Sequence, residues 1–173
     1  MNFTVNGKLT LTMTGVLEIR DYTEDDEAGL LRLVRELQAY ESRFYNRMIP
    51  PEEIAGWYVD DFKKQCKDFN GHIRIALIAG KPMGYSTTLT QCRNEQPDEL
   101  PFDYAMVGDL VVAATARGKG LGRSLLEDAE AIARKAGAKW LRIGVLAKNT
   151  VARDVYARYG FEEHMIEMEK PLT

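Results

Sequence analysis

Apolar positions along the chain change their period several times, and each change marks an element. Val16, Leu17 and Ile19 form a short run that reads as a strand over residues 16–20. From Thr23 the period lengthens. Leu30, Leu33, Val34 and Leu37 fall on one helical face, and Thr23 followed by Asp26 has the order of a capping pair. Pro50-Pro51-Glu52-Glu53 predicts the opening of a second helix, because proline and acids suit a first turn; Ile54, Trp57, Tyr58 and Phe62 would line its inner face. Gly71 closes that connection. Ile73, Ile75 and Leu77 alternate as a half-buried strand, Gly80-Lys81 predicts a tight turn, and residues 83–92 return as the hairpin partner. A polar loop over 93–103 leads to an apolar strand over 104–114. Leu121, Leu125, Leu126, Ala129, Ile132 and Ala133 then recur at the spacing of one helical face, and residues 139–146 read as another strand. Val151, Val155 and Tyr159, with Ala152 and Tyr156 one position round, mark the apolar face of a last helix. Asn149 is placed to cap that helix and Gly160 to end it.

Residues 1–14 alternate weakly through Phe3, Val5, Leu9, Leu11 and Met13, and three readings stay open for them: an extra edge strand, a dimer element or appended sequence. The organisation expected is an N-terminal extension or extra edge strand over 1–15, followed by one domain over 16–173. No repeat or linker interrupts it. A chain of 173 residues suits one compact domain, and 45% apolar with 28% charged residues excludes a disordered class. The net charge of −3 argues against broad nucleic-acid binding, which needs a basic excess. Cys66 and Cys92 are too few for a disulfide framework, and no Cys/His ligand spacing suggests a metal. His72 and His164 are isolated on expected strands. The first residues lack a basic start followed by an apolar run, and no stretch approaches the ~20 apolar residues of a membrane span, so a cytoplasmic protein is expected.

The densest chemistry lies where the 104–114 strand meets the following helix, at Arg117-Gly118-Lys119-Gly120-Leu121-Gly122, with Arg123 next. The first turn of a helix has unpaired N–H groups and the positive end of the dipole, and glycines let an anion approach the bare backbone. Two familiar phosphate loops do not fit the spacing. A P-loop needs Lys and Ser/Thr after its last glycine, where Arg123 and Ser124 stand. The dinucleotide fingerprint needs a different glycine spacing and a carboxylate about 20 residues on, whereas the next strand ends in Ala147-Lys148-Asn149.

What remains, Arg-x-x-Gly-x-Gly, resembles the pyrophosphate-binding motif of the GNAT superfamily of acyl-CoA-dependent N-acyltransferases. A second block supports the resemblance in the family's order: Asn149, then Ala152 and Tyr156 on a short helix, then Gly160-Phe161. The likeness extends over roughly residues 16–170. It implies an α/β (α+β) fold with a mixed, mostly antiparallel sheet flanked by helices and splayed at its centre, where acetyl-CoA would lie. Arg117, Gly118, Lys119, Gly120, Leu121, Gly122 and Arg123 would surround the pyrophosphate. Main-chain groups of Leu110, Val111 and Val112 would hold the thioester and pantetheine, with Asn149, Ala152 and Tyr156 completing the cofactor contacts.

The implied reaction is direct acetyl transfer to an amine, without a covalent enzyme intermediate. An amine with a pKa around 10 must lose a proton before it attacks, and the leaving thiolate must gain one. Tyr156 matches the family position for the acid. Asp109 is the candidate base, although strand alternation leaves its direction open. Some relatives carry Glu where this chain has Gly108, or further upstream near Met106; a water chain, Tyr104 or Tyr85 are alternatives. For the acceptor, Arg43, Phe44, Tyr45 and Arg47 would suit a carboxylate, whereas Asp98, Glu99 and Asp103 would suit a cation. A small-molecule amine is the expected acceptor. A protein acceptor and a non-catalytic acyl-CoA sensor are the alternatives, and homodimerisation is implied by family habit only.

Overall fold

The computed structural model describes residues 8–12 and 15–172. Six strands form one sheet in sequential order: β1 (Lys8–Thr12), β2 (Gly15–Asp21), β3 (His72–Ile78), β4 (Lys81–Asn94), β5 (Phe102–Val112) and β6 (Leu141–Ile143). Neighbours run antiparallel except β5 and β6, which are parallel. The backbone of residues 8–12 thus adds an edge strand to β2. The remaining residues of the weak N-terminal alternation, Phe3, Val5 and Met13, lie outside the described residues.

Helices α1 (Glu27–Glu41) and α2 (Gly56–Asp68) cover one sheet face, where Phe62 packs on Tyr85 at 5.9 Å. Helix α3 (Leu121–Lys135) covers the other. There Arg74 of β3 reaches Asp128 at 2.8 Å, and Leu121, Leu125, Leu126, Ala129 and Ala133 are buried. Helix α4 (Thr150–Tyr159) follows β6, and Tyr159 Oη pins it to α3 by donating to Glu130 at 2.7 Å. Among the described residues, no helix is long and apolar enough to cross a membrane.

Several local expectations hold for the reasons given. Thr23 accompanies Asp26 in a capping box before α1, with Thr23 N–H donating to the Asp26 carboxylate at 2.9 Å. The hairpin turn between β3 and β4 is present but one residue earlier than Gly80-Lys81: Ala79 and Gly80, at φ +50° and +74°, make it, and Lys81 opens β4. Others change. Pro51–Glu53 is a single 3₁₀ turn, and α2 starts only at Gly56, so Ile54 is buried from the connection and Trp57 is exposed. The expected 139–146 strand shrinks to three residues, leaving Trp140 exposed. Val151 and Val155 are exposed, so α4 turns only part of its apolar face inward. His164 lies outside any strand, 2.9 Å from Arg142.

Candidate active site

A register shift creates the site. Ser86 faces Leu110 and Thr88 faces Val107, so Gly108 and Asp109 together oppose Thr87, and β5 bulges. Thr87 Oγ1 accepts the Asp109 N–H at 2.8 Å. A Cβ at position 108 would stand 2.7 Å from that same oxygen, which explains glycine there. A glutamate at this position would crowd the oxygen that accepts the Asp109 N–H.

The bulge turns Asp109 toward the α1/α2 face, where the fully buried Tyr85 donates its phenol to Asp109 Oδ2 at 2.7 Å. Three further groups, from three helices, lie within reach of the Asp109 charge: Glu41 at the end of α1, Tyr58 on α2 and Tyr156 on α4. Burial raises the Asp109 carboxyl above its ordinary range, against the lowering effect of the Tyr85 hydrogen bond. Burial and Asp109 raise the Glu41 carboxyl. Burial, then Glu41 and Asp109, push the Tyr156 phenol up to about 12. Tyr58 and Tyr85 move upward too, again chiefly through burial. The cluster can therefore hold protonated phenols beside carboxylates that are better bases than exposed ones.

Beyond Val107 and Ile143, β5 and β6 no longer pair. Ala113 N–H donates to Met83 of β4 at 2.8 Å, so alternation turns the backbone of Val111 and Ala113 toward β4 and that of Leu110 and Val112 into the gap. Of the three residues expected to offer main-chain groups, Leu110 and Val112 face this opening and Val111 does not.

At one end of the gap lies the glycine loop. Gly118 and Gly120 have φ of +73° and +83°, and Gly120 caps α3 without any side-chain hydrogen bond. No acid occupies the first turn of α3. Among the described residues no side chain caps its first N–H groups, an arrangement that suits an anion. Gly122 is in the helix, and a Cβ there would meet its nearest atom at an ordinary 3.6 Å. The protein itself has room for alanine, which a helix prefers, so the glycine leaves open space for a ligand. Arg117 Nε donates to Val112 O at 3.1 Å and Lys119 Nζ to Thr115 O at 3.0 Å, while Arg123 pairs with Glu127 at 3.0 Å. Asn149 is buried, and its side chain caps α4 by accepting the Ala152 N–H at 3.2 Å. A diphosphate-bearing cofactor fits this donor set.

Among the acceptor candidates, Arg47 pairs with Glu169, Arg43 sits 4.4 Å from the Tyr40 ring centroid, Glu99 takes Asn94 and Asp103 takes Arg93. Tyr104 lies beneath Arg142, at 4.6 Å. Sequence reasoning missed Glu41 and Tyr40 and read Tyr58 as core packing only. Their signal was weak, because each sits on an amphipathic helix near positions that serve only packing.

The acetyltransferase (GNAT) family profile matches residues 32–161. An uncharacterised N-acetyltransferase of Methanocaldococcus jannaschii is 27% identical over 147 residues, 84% of this chain, which spans only 60% of that relative's length. An aminoalkylphosphonate N-acetyltransferase of Salmonella typhimurium is 27% identical over 157 residues, covering 91% of this chain and 92% of that one. A mutant of the BH1408 protein of Bacillus halodurans shares the fold at TM-score 0.80 and 19% identity, over 90% of this chain and 99% of that one. AAC(6')-Iy, in complex with the bisubstrate analogue CoA-S-monomethyl-acetylneamine, does so at TM-score 0.66 and 15% identity, over 90% and 98%. Likeness at such identities concerns the fold, whereas the profile match runs through the glycine loop, the bulged strand and the Asn149–Phe161 block. The chain belongs to the acetyltransferase (GNAT) family of acyltransferase enzymes.

Proposed function

We propose that this chain transfers an acetyl group from acetyl-CoA directly to the amine of a small acceptor. The observation that carries the reading is that the Tyr156 phenol on α4 feels the charge of Asp109 on the bulged β5, while the same strand leads into a helix whose N-cap, Gly120, brings no side-chain hydrogen bond. Acetyl-CoA supplies an activated thioester when bound. Gly118, Gly120 and Gly122, the first N–H groups of α3, Arg117 and Lys119 would hold its diphosphate. The Leu110 and Val112 backbone would line the acyl end.

The amine arrives as an ammonium at neutral pH, and Asp109 takes its proton. Neither Asp109 nor Glu41 is paired with a protein cation among the described residues, so both add negative potential where that ammonium docks. Tyr156 keeps its proton up to about pH 12 and donates it toward the departing sulfur. Burial lifts the Cys66 thiol to about 11 and also raises Cys92, so neither is poised as an acyl-carrying nucleophile. This supports direct transfer.

The test is thiol release from acetyl-CoA with a panel of diamines, aminoglycosides and aminoalkylphosphonates. Acceptor-dependent release supports the reading. CoA binding without release on any amine or peptide would make the chain a sensor, and release on peptides alone would replace the small acceptor by a protein.

A further inference from the structure

Arg117, the first residue of the glycine-loop motif, lies over the ring of Tyr40, with its guanidinium carbon 4.8 Å from the ring centroid. Arg43 lies over the same ring at 4.4 Å. Two like charges share one aromatic platform. Neither guanidinium has a carboxylate partner among the described residues: Arg117 donates Nε to Val112 O at 3.1 Å, and Arg43 donates Nε to Tyr40 O at 3.2 Å. Bringing two unneutralised cations to one ring is unfavourable unless an anion joins them. The ring's negative face offsets part of the cost.

The platform is itself held. Tyr40 is half-buried in the last turn of α1, and the Phe44 ring meets it edge-on at 5.2 Å and 78°. One turn earlier, Glu36 Oε1 accepts the Ala114 N–H, fixing α1 to the segment that leads into the loop. An exposed arginine on a glycine-rich loop otherwise samples many rotamers, and each one frozen before binding is entropy not lost at binding.

We propose that Tyr40 is a positioning residue that preorients Arg117 toward the cofactor diphosphate, and that Arg43 is a second cation of the same anion site. This rests on reading the glycine loop as the phosphate cradle. Arg43 then serves the cofactor rather than an acceptor carboxylate.

Calorimetric titration with CoA at low and high NaCl tests it. Tyr40→Leu should weaken CoA binding about five- to tenfold at low salt and flatten its salt dependence, because a displaced Arg117 contributes less charge attraction. Tyr40→Phe keeps the ring face and should stay within about twofold of the parent. Arg43→Gln should weaken binding about threefold, again with a flatter salt dependence. Unchanged affinity in Tyr40→Leu, or a loss with full salt dependence kept, overturns the role of the ring; unchanged affinity in Arg43→Gln overturns that of the second cation. Should the leucine variant fail to fold, Tyr40→Gln, which also removes the ring, carries the same prediction, and Arg43→Gln still tests the second cation. Arg117→Gln separates the two levels. If it binds CoA normally, the cradle reading fails; if it is weakened while Tyr40→Leu is not, only the present inference fails.

Discussion

Tyr85 donates its phenol to Asp109 across 2.7 Å from a position with no solvent exposure. The bond ties the candidate base to the centre of β4 through Oδ2. It also opposes the burial that raises the Asp109 carboxyl, so the group is held ionisable as well as oriented.

Asp109→Asn should lower kcat by about 10²-fold or more, since a general base typically contributes that much. Stability should move the other way. A carboxyl raised on folding favours the native state only below its unfolded value, and that benefit is lost as pH rises through the folded value. At pH 7 the buried charge is therefore a cost, and the neutral amide, which still accepts from Tyr85, should raise the melting temperature. A fall in melting temperature at pH 7 would refute the burial argument.

In the pH–rate profile, the acid limb should lie above the ordinary aspartate value and weaken as pH falls through the raised Asp109 value. Tyr156 should set no alkaline limb below about pH 11, because its phenol ionises near 12. Tyr156→Phe should keep acetyl-CoA affinity while cutting kcat roughly 10²-fold. A full rate in that variant would leave Tyr156 as packing only.

Gly120→Asp should abolish CoA binding by setting a carboxylate at the α3 N-terminus, where the anion belongs. Gly108→Ala should act through the bulge instead. Its Cβ would press on Thr87 Oγ1, release the Asp109 N–H and reduce kcat with little change in CoA affinity. Titration and steady-state rates on the same preparations separate the two outcomes.

Asp128→Ala should destabilise the fold by about 2–3 kcal/mol, because Arg74, nearly buried against α3, would keep only Asp21 at 2.8 Å and Ile19 O at 3.3 Å. Chemical denaturation measures it, and a change under about 0.5 kcal/mol, typical of a surface pair, would be the contrary result.

The strand–loop–helix leading into α3 could be read from the chain alone, because glycine freedom, helix dipole and the face of α3 are local properties written in adjacent residues. The α4 cap at Asn149 and the turn at Gly80 were legible for the same reason. The length of β6 was not, since pairing depends on a neighbour that has already diverged. Neither was the start of α2: Pro51–Glu53 carries first-turn chemistry, but the chain spends it on a 3₁₀ turn that buries Ile54 under α1. The assembled fold set the direction of Asp109, because one extra residue opposite Thr87 inverts the alternation on which any reading of β5 depends. It likewise decided Glu41 and Tyr40. Adjacent in sequence, they turn to Asp109 and to Arg117 of the glycine loop respectively, because a helix rotates by about 100° per residue.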